Sequence, residues 1–226
     1  MFKKLLIGLV VVLAVLAGVI STRPDTFSVE RSAMVQAAPE FAFAQVNDFH
    51  GWGAWSPWDK MDPSMKRTYE GAASGVGAMY SWVGNDKVGE GRMTIEESKQ
   101  NELVRIKLDF IKPFASTSTT TFTFKPAAEG TQVTWRMEGK NNFVSKAFSM
   151  FMNMDKMVGG DFERGLASMK TASETAAAVA KKAAEEKAVA EKAAAEKAAA
   201  EAAAAAQAAN PAAGQPSAGT ASAPVP

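Results

Sequence analysis

Between residues 66 and 139 the chain repeats one pattern: short runs in which apolar and polar side chains alternate, each closed by a turn signal. Successive side chains of a strand point to opposite faces, so strict alternation predicts strands with one apolar face. The run 103–110 sends Val104, Ile106, Leu108 and Phe110 one way and Leu103, Arg105, Lys107 and Asp109 the other. The run 131–138 sets Val133, Trp135 and Met137 against Thr134, Arg136 and Glu138. The Thr-rich run 116–124 holds Phe122 and Phe124 in register, and shorter runs at 66–69, 79–83 and 90–97 carry Tyr80, Trp82, Met93 and Ile95. Gly84-Asn85-Asp86, Gln100-Asn101, Lys112-Pro113 and Glu129-Gly130 separate them. An earlier run, 26–35, alternates as well, through Phe27, Val29, Arg31, Ala33 and Val35. Strand after strand with one apolar face describes an antiparallel sheet covered on one side only.

The cover is sought in residues 143–170. At helical spacing Val144, Phe148, Phe151, Val158, Phe162, Leu166 and Met169 share a face, with Phe143, Ala147, Met150, Met154 and Met157 beside them. These rows predict one long helix whose apolar surface is too wide for an isolated amphipathic helix. Each such side chain stabilises by roughly 1.5–3 kcal/mol when buried, so the helix and the sheet need each other. Asp155 stands inside the first row, between Phe151 and Val158, where a carboxylate is costly unless paired or wet.

Ala38-Pro39-Glu40 opens a short helix, with proline in its first turn and an acid at its positive end, and Asn47-Asp48 and Gly51 close it. The stretch 51–59 then carries three of the five tryptophans, Trp52, Trp55 and Trp58, among glycines and Pro57. These rings sit on a short helix or a loop. They are either a core plug closing one end of the sheet or an aromatic wall at a pocket mouth, and the two roles are compatible.

Composition narrows the chemistry. A net charge of +1 over 226 residues argues against a nucleic-acid binder, which needs a basic face. The absence of cysteine removes disulfides, thiolate nucleophiles and the usual structural zinc sites, and one histidine cannot build a multi-histidine metal site. No cofactor is implied. The candidate acid–base groups are Asp155, Glu90, His50 and Asp59. Parity turns Glu90 outward, and His50 beside Gly51 is read as a surface residue, so Asp155 is the only acid that the pattern places near a covered space.

The two ends are different material. Lys3 and Lys4 precede an uncharged run from residue 5 to 21, rich in Leu, Val and Ile, with no polar face and nearly long enough to span a bilayer. Neither Ala17 nor Ser21 makes a strong small-residue cleavage site, so the run reads as an anchor in preference to a signal peptide. With the lysines cytoplasmic, the rest of the chain lies outside the inner membrane. From residue 171 to 209 alanine dominates, with Glu-Lys pairs recurring every five residues. A helix of about 55 Å is expected there, and its five-residue period gives no seam for a coiled coil. Residues 210–226, built mainly of Ala, Pro, Gly and Ser, are expected to be disordered.

Several pieces of text resemble one family: Arg23-Pro24-Asp25-Thr26-Phe27, Trp55-Ser56-Pro57-Trp58, Gly89-Glu90-Gly91, Asp155-Lys156-Met157-Val158-Gly159 and Asp161-Phe162-Glu163-Arg164-Gly165-Leu166. With the order strand, two short helices, antiparallel run and final helix, residues 24–170 resemble the START-like helix-grip superfamily, in its bacterial polyketide cyclase/dehydrase-like (SRPBCC) branch. The resemblance implies an α+β fold with a curled antiparallel sheet around a long C-terminal helix and a cavity between them. Members bind lipids, polyketides or other apolar molecules, and no fixed catalytic set travels with the branch.

The reading is therefore a chain in four parts: anchor or signal segment (1–22), helix-grip domain (24–170), Ala/Lys/Glu spacer (171–209) and disordered tail (210–226). Its expected role is a membrane-anchored module binding a small apolar molecule or lipid. The ligand-binding residues are expected to be Trp55, Trp58, Tyr80, Trp82, Met93, Trp135, Met154 and Asp155. Inward-facing Gly89 and Gly91 either keep that pocket open or mark a strand bend. Two alternatives stand beside it. One is a structural or interaction protein of the cell envelope, with an envelope partner for the tail and a non-functional cavity. The other is a cyclase/dehydrase-like enzyme, for which the site chemistry is thin.

Overall fold

A computed structural model describes residues 2–151 and 153–209. Seven strands, β1 (Thr26–Val35), β2 (Lys66–Gly71), β3 (Ala78–Val83), β4 (Glu90–Lys99), β5 (Leu103–Lys112), β6 (Ser116–Ala127) and β7 (Gly130–Lys140), make one antiparallel sheet in the order β1-β7-β6-β5-β4-β3-β2. The helices are α1 (Phe2–Ser21), α2 (Pro39–Asn47), α3 (Pro57–Met61), α4 (Phe143–Ser149) and α5 (Met154–Ala209), with a 3₁₀ turn at Phe49–Ala54. This is the α+β helix-grip arrangement, a curled sheet closed against a C-terminal helix.

Pairing puts the alternating apolar residues into rows across the sheet. Val104, Phe122 and Trp135 lie side by side on β5, β6 and β7, and Ile106, Thr120 and Met137 form the next row. In the row after that Tyr80, Met93, Leu108 and Ser118 follow one another from β3 to β6. The inward residues of β6 thus shrink from Phe122 to Thr120 to Ser118 while Val104, Ile106 and Leu108 beside them on β5 stay aliphatic; on β7 the last partner is Gly139. Voids cost contacts, so such a taper must be filled from elsewhere or left as a cavity.

The expected single helix over 143–170 is two helices. Asn153 interrupts it: its side-chain oxygen accepts the backbone N–H groups of Asp155 (2.9 Å) and Lys156 (3.3 Å) and caps a fresh helix, α5. Of the predicted apolar row, only its second half covers the sheet. Phe162, Leu166 and Met169 are buried and Val158 is half-buried. Phe143, Val144, Phe148 and Phe151 are 49–85% exposed.

Asp155 is paired. Arg31 of β1 donates to both its oxygens, at 2.7 and 3.0 Å, and also to Glu163 at 2.7 Å, clasping β1 to the first turns of α5. The hydrogen bond from Arg31 holds the Asp155 carboxyl below its usual range.

Packing on α5 carries on past residue 170. Ser173 is fully buried, Ala177 packs on the core, and Glu174 accepts the Gln36 N–H at 2.7 Å. The chain divides into two compact units, 1–178 and 179–226. Among its described residues the second is helical, with Lys-to-Glu pairs four residues apart at 3.7–3.9 Å, from Lys181–Glu185 to Lys197–Glu201. The expected disordered tail, 210–226, lies outside the described residues. In the first unit, α1 is long and apolar enough to cross a membrane, a test that a signal sequence near an N-terminus also passes.

Candidate functional site

The aromatic stretch after α2 is pinned to that helix. The Trp52 indole donates to the Val46 carbonyl (3.1 Å) and the Trp55 indole to the Gln45 carbonyl (2.9 Å), so the last turn of α2 sets both rings. Trp55 is fully buried, edge-on to Phe122 and Trp135. Pro57 then starts α3, which places Trp58 edge-on to Trp135 and Phe162. Trp135 stacks on Phe162 of α5 with ring centres 4.0 Å apart.

These contacts leave a cavity of ≈ 150 Å³ between the sheet and α5. Trp52, Trp58, Met65, Tyr80, Trp82, Val88, Met93, Leu108, Phe110, Trp135, Met137, Val158 and Phe162 line it, with four polar residues, Ser56, Asp59, Tyr80 and Thr120, among the walls. Five of the eight residues named from sequence meet there: Trp58, Tyr80, Trp82, Met93 and Trp135. Three do not. Trp55 plugs the core behind Trp52, Met154 stands exposed at the first turn of α5, and Asp155 is held against Arg31. The tryptophan stretch divides between both expected roles, with Trp55 as plug and Trp52 and Trp58 as wall.

Gly89 and Gly91 serve the backbone and an indole. Gly89 has φ +69°, and a Cβ there would stand 2.3 Å from the Lys112 carbonyl oxygen. At Gly91 a Cβ would stand 2.4 Å from two ring carbons of Trp82 and 2.7 Å from the Asp109 carbonyl oxygen. The space that glycine frees is therefore occupied by Trp82, whose ring forms the cavity wall and whose indole N–H donates to the Val88 carbonyl at 3.2 Å. The sequence signal for the cavity lay elsewhere, in Thr120 standing on the same face of β6 as Phe122.

The polar part of the wall is ordered. Arg67 donates to the Asp59 carboxylate through Nε at 2.6 Å and to the Met65 carbonyl at 3.2 Å, so the acid beside the cavity carries its own counter-charge. Burial, with the Asp59 charge as a second cause, pushes the Tyr80 phenol well above its usual range. It is a proton donor at neutral pH. The buried Trp135 Nε1–H has no hydrogen-bond partner among the described residues. The other acid–base candidates are occupied outside the cavity. His50 pairs with Asp48 (2.7 Å) and stacks on Tyr69 at 4.2 Å, and Glu90 pairs with Lys112 at 2.7 Å. The walls therefore offer a mainly apolar surface with a few fixed hydrogen-bonding groups, which is how small-molecule sites orient a ligand.

A family model described as polyketide cyclase / dehydrase and lipid transport matches residues 26–174. No curated protein matches the chain. Among solved structures, a Staphylococcus aureus protein of unknown function is similar in fold, with TM-score 0.50 and 15% identity over 69% of this chain and 98% of that one. A Chromobacterium violaceum protein is similar with TM-score 0.48 and 16% identity, over 67% of this chain and 99% of that one. The di-domain ARO/CYC StfQ from the steffimycin biosynthetic pathway has TM-score 0.49 and 12% identity, over 68% of this chain and 52% of that one. The family match begins at the first residue of β1 and ends within the packed part of α5, well over half of the 226 residues. The chain thus belongs to the polyketide cyclase / dehydrase and lipid transport family.

Proposed function

We propose that this protein is a membrane-anchored module that binds a small apolar molecule in the cavity between the sheet and α5. The observation that carries the reading is the cavity itself, ≈ 150 Å³ of space lined by four of the five tryptophans. An apolar cavity of about 150 Å³ stays dry and admits a guest about the size of benzene. A single ring or a short alkyl segment fits; a whole lipid or polycycle enters only when the walls move. Tyr80, as a protonated phenol, suits a guest that carries one hydrogen-bond acceptor. We assign no catalytic residue, since Asp59 is committed to Arg67.

In this reading α1 is the anchor. Lys3 and Lys4 stay in the cytoplasm, which puts the domain on the extracytoplasmic side. The helix from Val179 onward acts as a semi-rigid spacer, available to an envelope partner.

The test uses the full chain in detergent micelles. Titration with a single-ring heavy-atom aromatic such as bromobenzene should quench tryptophan emission saturably. Val158→Phe should fill the cavity and abolish that response while leaving the melting temperature unchanged or higher. A wild-type protein that shows no saturable response, or a variant that binds as well as wild type, sinks the cavity reading and favours an envelope protein with a structural role.

A further inference from the structure

We infer that α4 and the β5–β6 loop form a bilayer-docking face that lies flat on the membrane from which α1 emerges. This rests on α1 being a membrane anchor. α4 buries none of its residues, yet its Phe143, Val144 and Phe148 are 49–55% exposed. Phe151 just after it is 85% exposed, Ile111 at the end of β5 is 49% exposed and Phe114 in the β5–β6 loop is 68% exposed. The rings of Phe114 and Phe148 lie 6.1 Å apart, so loop and helix share one apolar surface. Contiguous exposed apolar surface of this kind marks an interaction site.

The occupant follows from where α4 is held. α4 contacts α1. Lys146 donates to the Ser21 carbonyl at 3.5 Å and pairs with Asp25, so α4 is tied to the end of α1 where the chain leaves the apolar span. A helix tied at that level sits at the headgroup boundary, where an apolar face is buried about 5–10 Å deep. At the tie the Lys146 side chain is only 12% exposed and pairs with Asp25, whose side chain is 87% exposed, so polar groups mark the level at which the apolar surface of α1 gives way to that of α4. A protein partner or a second copy would have to share this surface with the lipid around α1. The bilayer is already there. Strand β5 also runs directly from cavity-lining Leu108 and Phe110 to Ile111, so the docked face adjoins one end of the cavity.

The chain has no cysteine, so single labels can be placed cleanly. Phe148→Cys and Phe114→Cys, with Glu129→Cys in the opposite hairpin turn as reference, are labelled with an environment-sensitive dye in the full-length protein. The protein is reconstituted in phosphatidylcholine/phosphatidylglycerol vesicles containing nitroxide-bearing lipid. Leu13→Cys reports on α1 itself. Labels at 148 and 114 should be blue-shifted and quenched several-fold more than the label at 129. If the Leu13→Cys label is in lipid while those at 148 and 114 are as aqueous as that at 129, the docking face is wrong and the anchor stands. If the Leu13→Cys label is aqueous too, the anchor reading fails and takes this inference with it.

Discussion

Adding one methyl group at Gly91 should destabilise the sheet and disturb the cavity wall together. The new Cβ would meet Trp82 Cζ2 and Cη2 at 2.4 Å and the Asp109 carbonyl oxygen at 2.7 Å. Real Cβ atoms do not approach so closely, and neither neighbour yields cheaply. The indole is rigid and anchored through its N–H to Val88, and the carbonyl belongs to a paired strand at a register shift. Overpacking a well-filled core costs typically 1–3 kcal/mol, and a clash that includes backbone belongs at the upper end, roughly 2–3 kcal/mol. For a domain of this size that lowers the melting temperature by roughly 4–12 °C. Thermal unfolding of the full chain in micelles, followed by tryptophan emission, measures it. Gly53→Ala is the control, since a Cβ there has nothing within 4 Å. The direction is informative as well, because Trp82 pushed inward shrinks the cavity. Gly91→Ala should therefore lose affinity for an aromatic guest as it loses stability. A variant that melts with wild type, or that gains guest affinity, refutes the assignment of Gly91 to the Trp82 contact.

Three further outcomes are expected. Truncation after Ala178 should leave the melting temperature unchanged, whereas truncation after Lys170 should lower it by several degrees, because it removes buried Ser173 and the Glu174 carboxylate on the Gln36 N–H. Gly159→Ala would put a Cβ 2.2 Å from Arg31 Nη2, which should displace the guanidinium and let the Asp155 carboxyl titrate nearer its ordinary range in a carboxyl-carbon NMR titration. Asp62 accepts from the Ser64 hydroxyl (2.7 Å) and the Asn85 N–H (2.7 Å), and these bonds, the Ser64 one first, lower its pKa. A lowered carboxyl stabilises fully above its unfolded value of about 3.9 and loses that contribution as pH falls through the folded value. Hydrogen exchange at the Asn85 amide, corrected for intrinsic rate, should therefore be flat at neutral pH and speed up only in acid below that range. An amide already losing protection near pH 6 would contradict the assignment.

The sheet was legible because alternation is a local signal that burial on one face enforces; β1 runs over the expected 26–35, and the turns at Gly84 and Glu129 fall between strands, with Gly130 already the first residue of β7. The helix break was not, because apolar spacing runs straight through 143–170 and only one residue, Asn153, opposes it. Whether such an asparagine caps a helix or rides along one depends on what holds α4, and that is a pairing of Lys146 with residues more than a hundred positions away. Asp155 looked functional for a related reason: its partner, Arg31, stands 124 residues earlier. In the site, residue type distinguishes core from surface but not wall from plug. Trp55 and Trp58 are one helical turn apart in sequence, and it is the start of α3 at Pro57 that sends one into the core and the other to the cavity.

The taper along β6 separates two jobs that most core positions combine. The pairing of β6 with β5 and β7 is made by backbone groups, and its register is locked by Phe122 and Phe124 farther along the strand. Position 120, which lines the cavity, is therefore free of the task of specifying the fold. A drift from threonine to alanine, valine or leucine at 120 would resize the chamber in steps of a methyl group or two while leaving every strand where it is. Lineages sharing this architecture can thus change what they accommodate through one strand, by substitutions that are individually cheap and reversible.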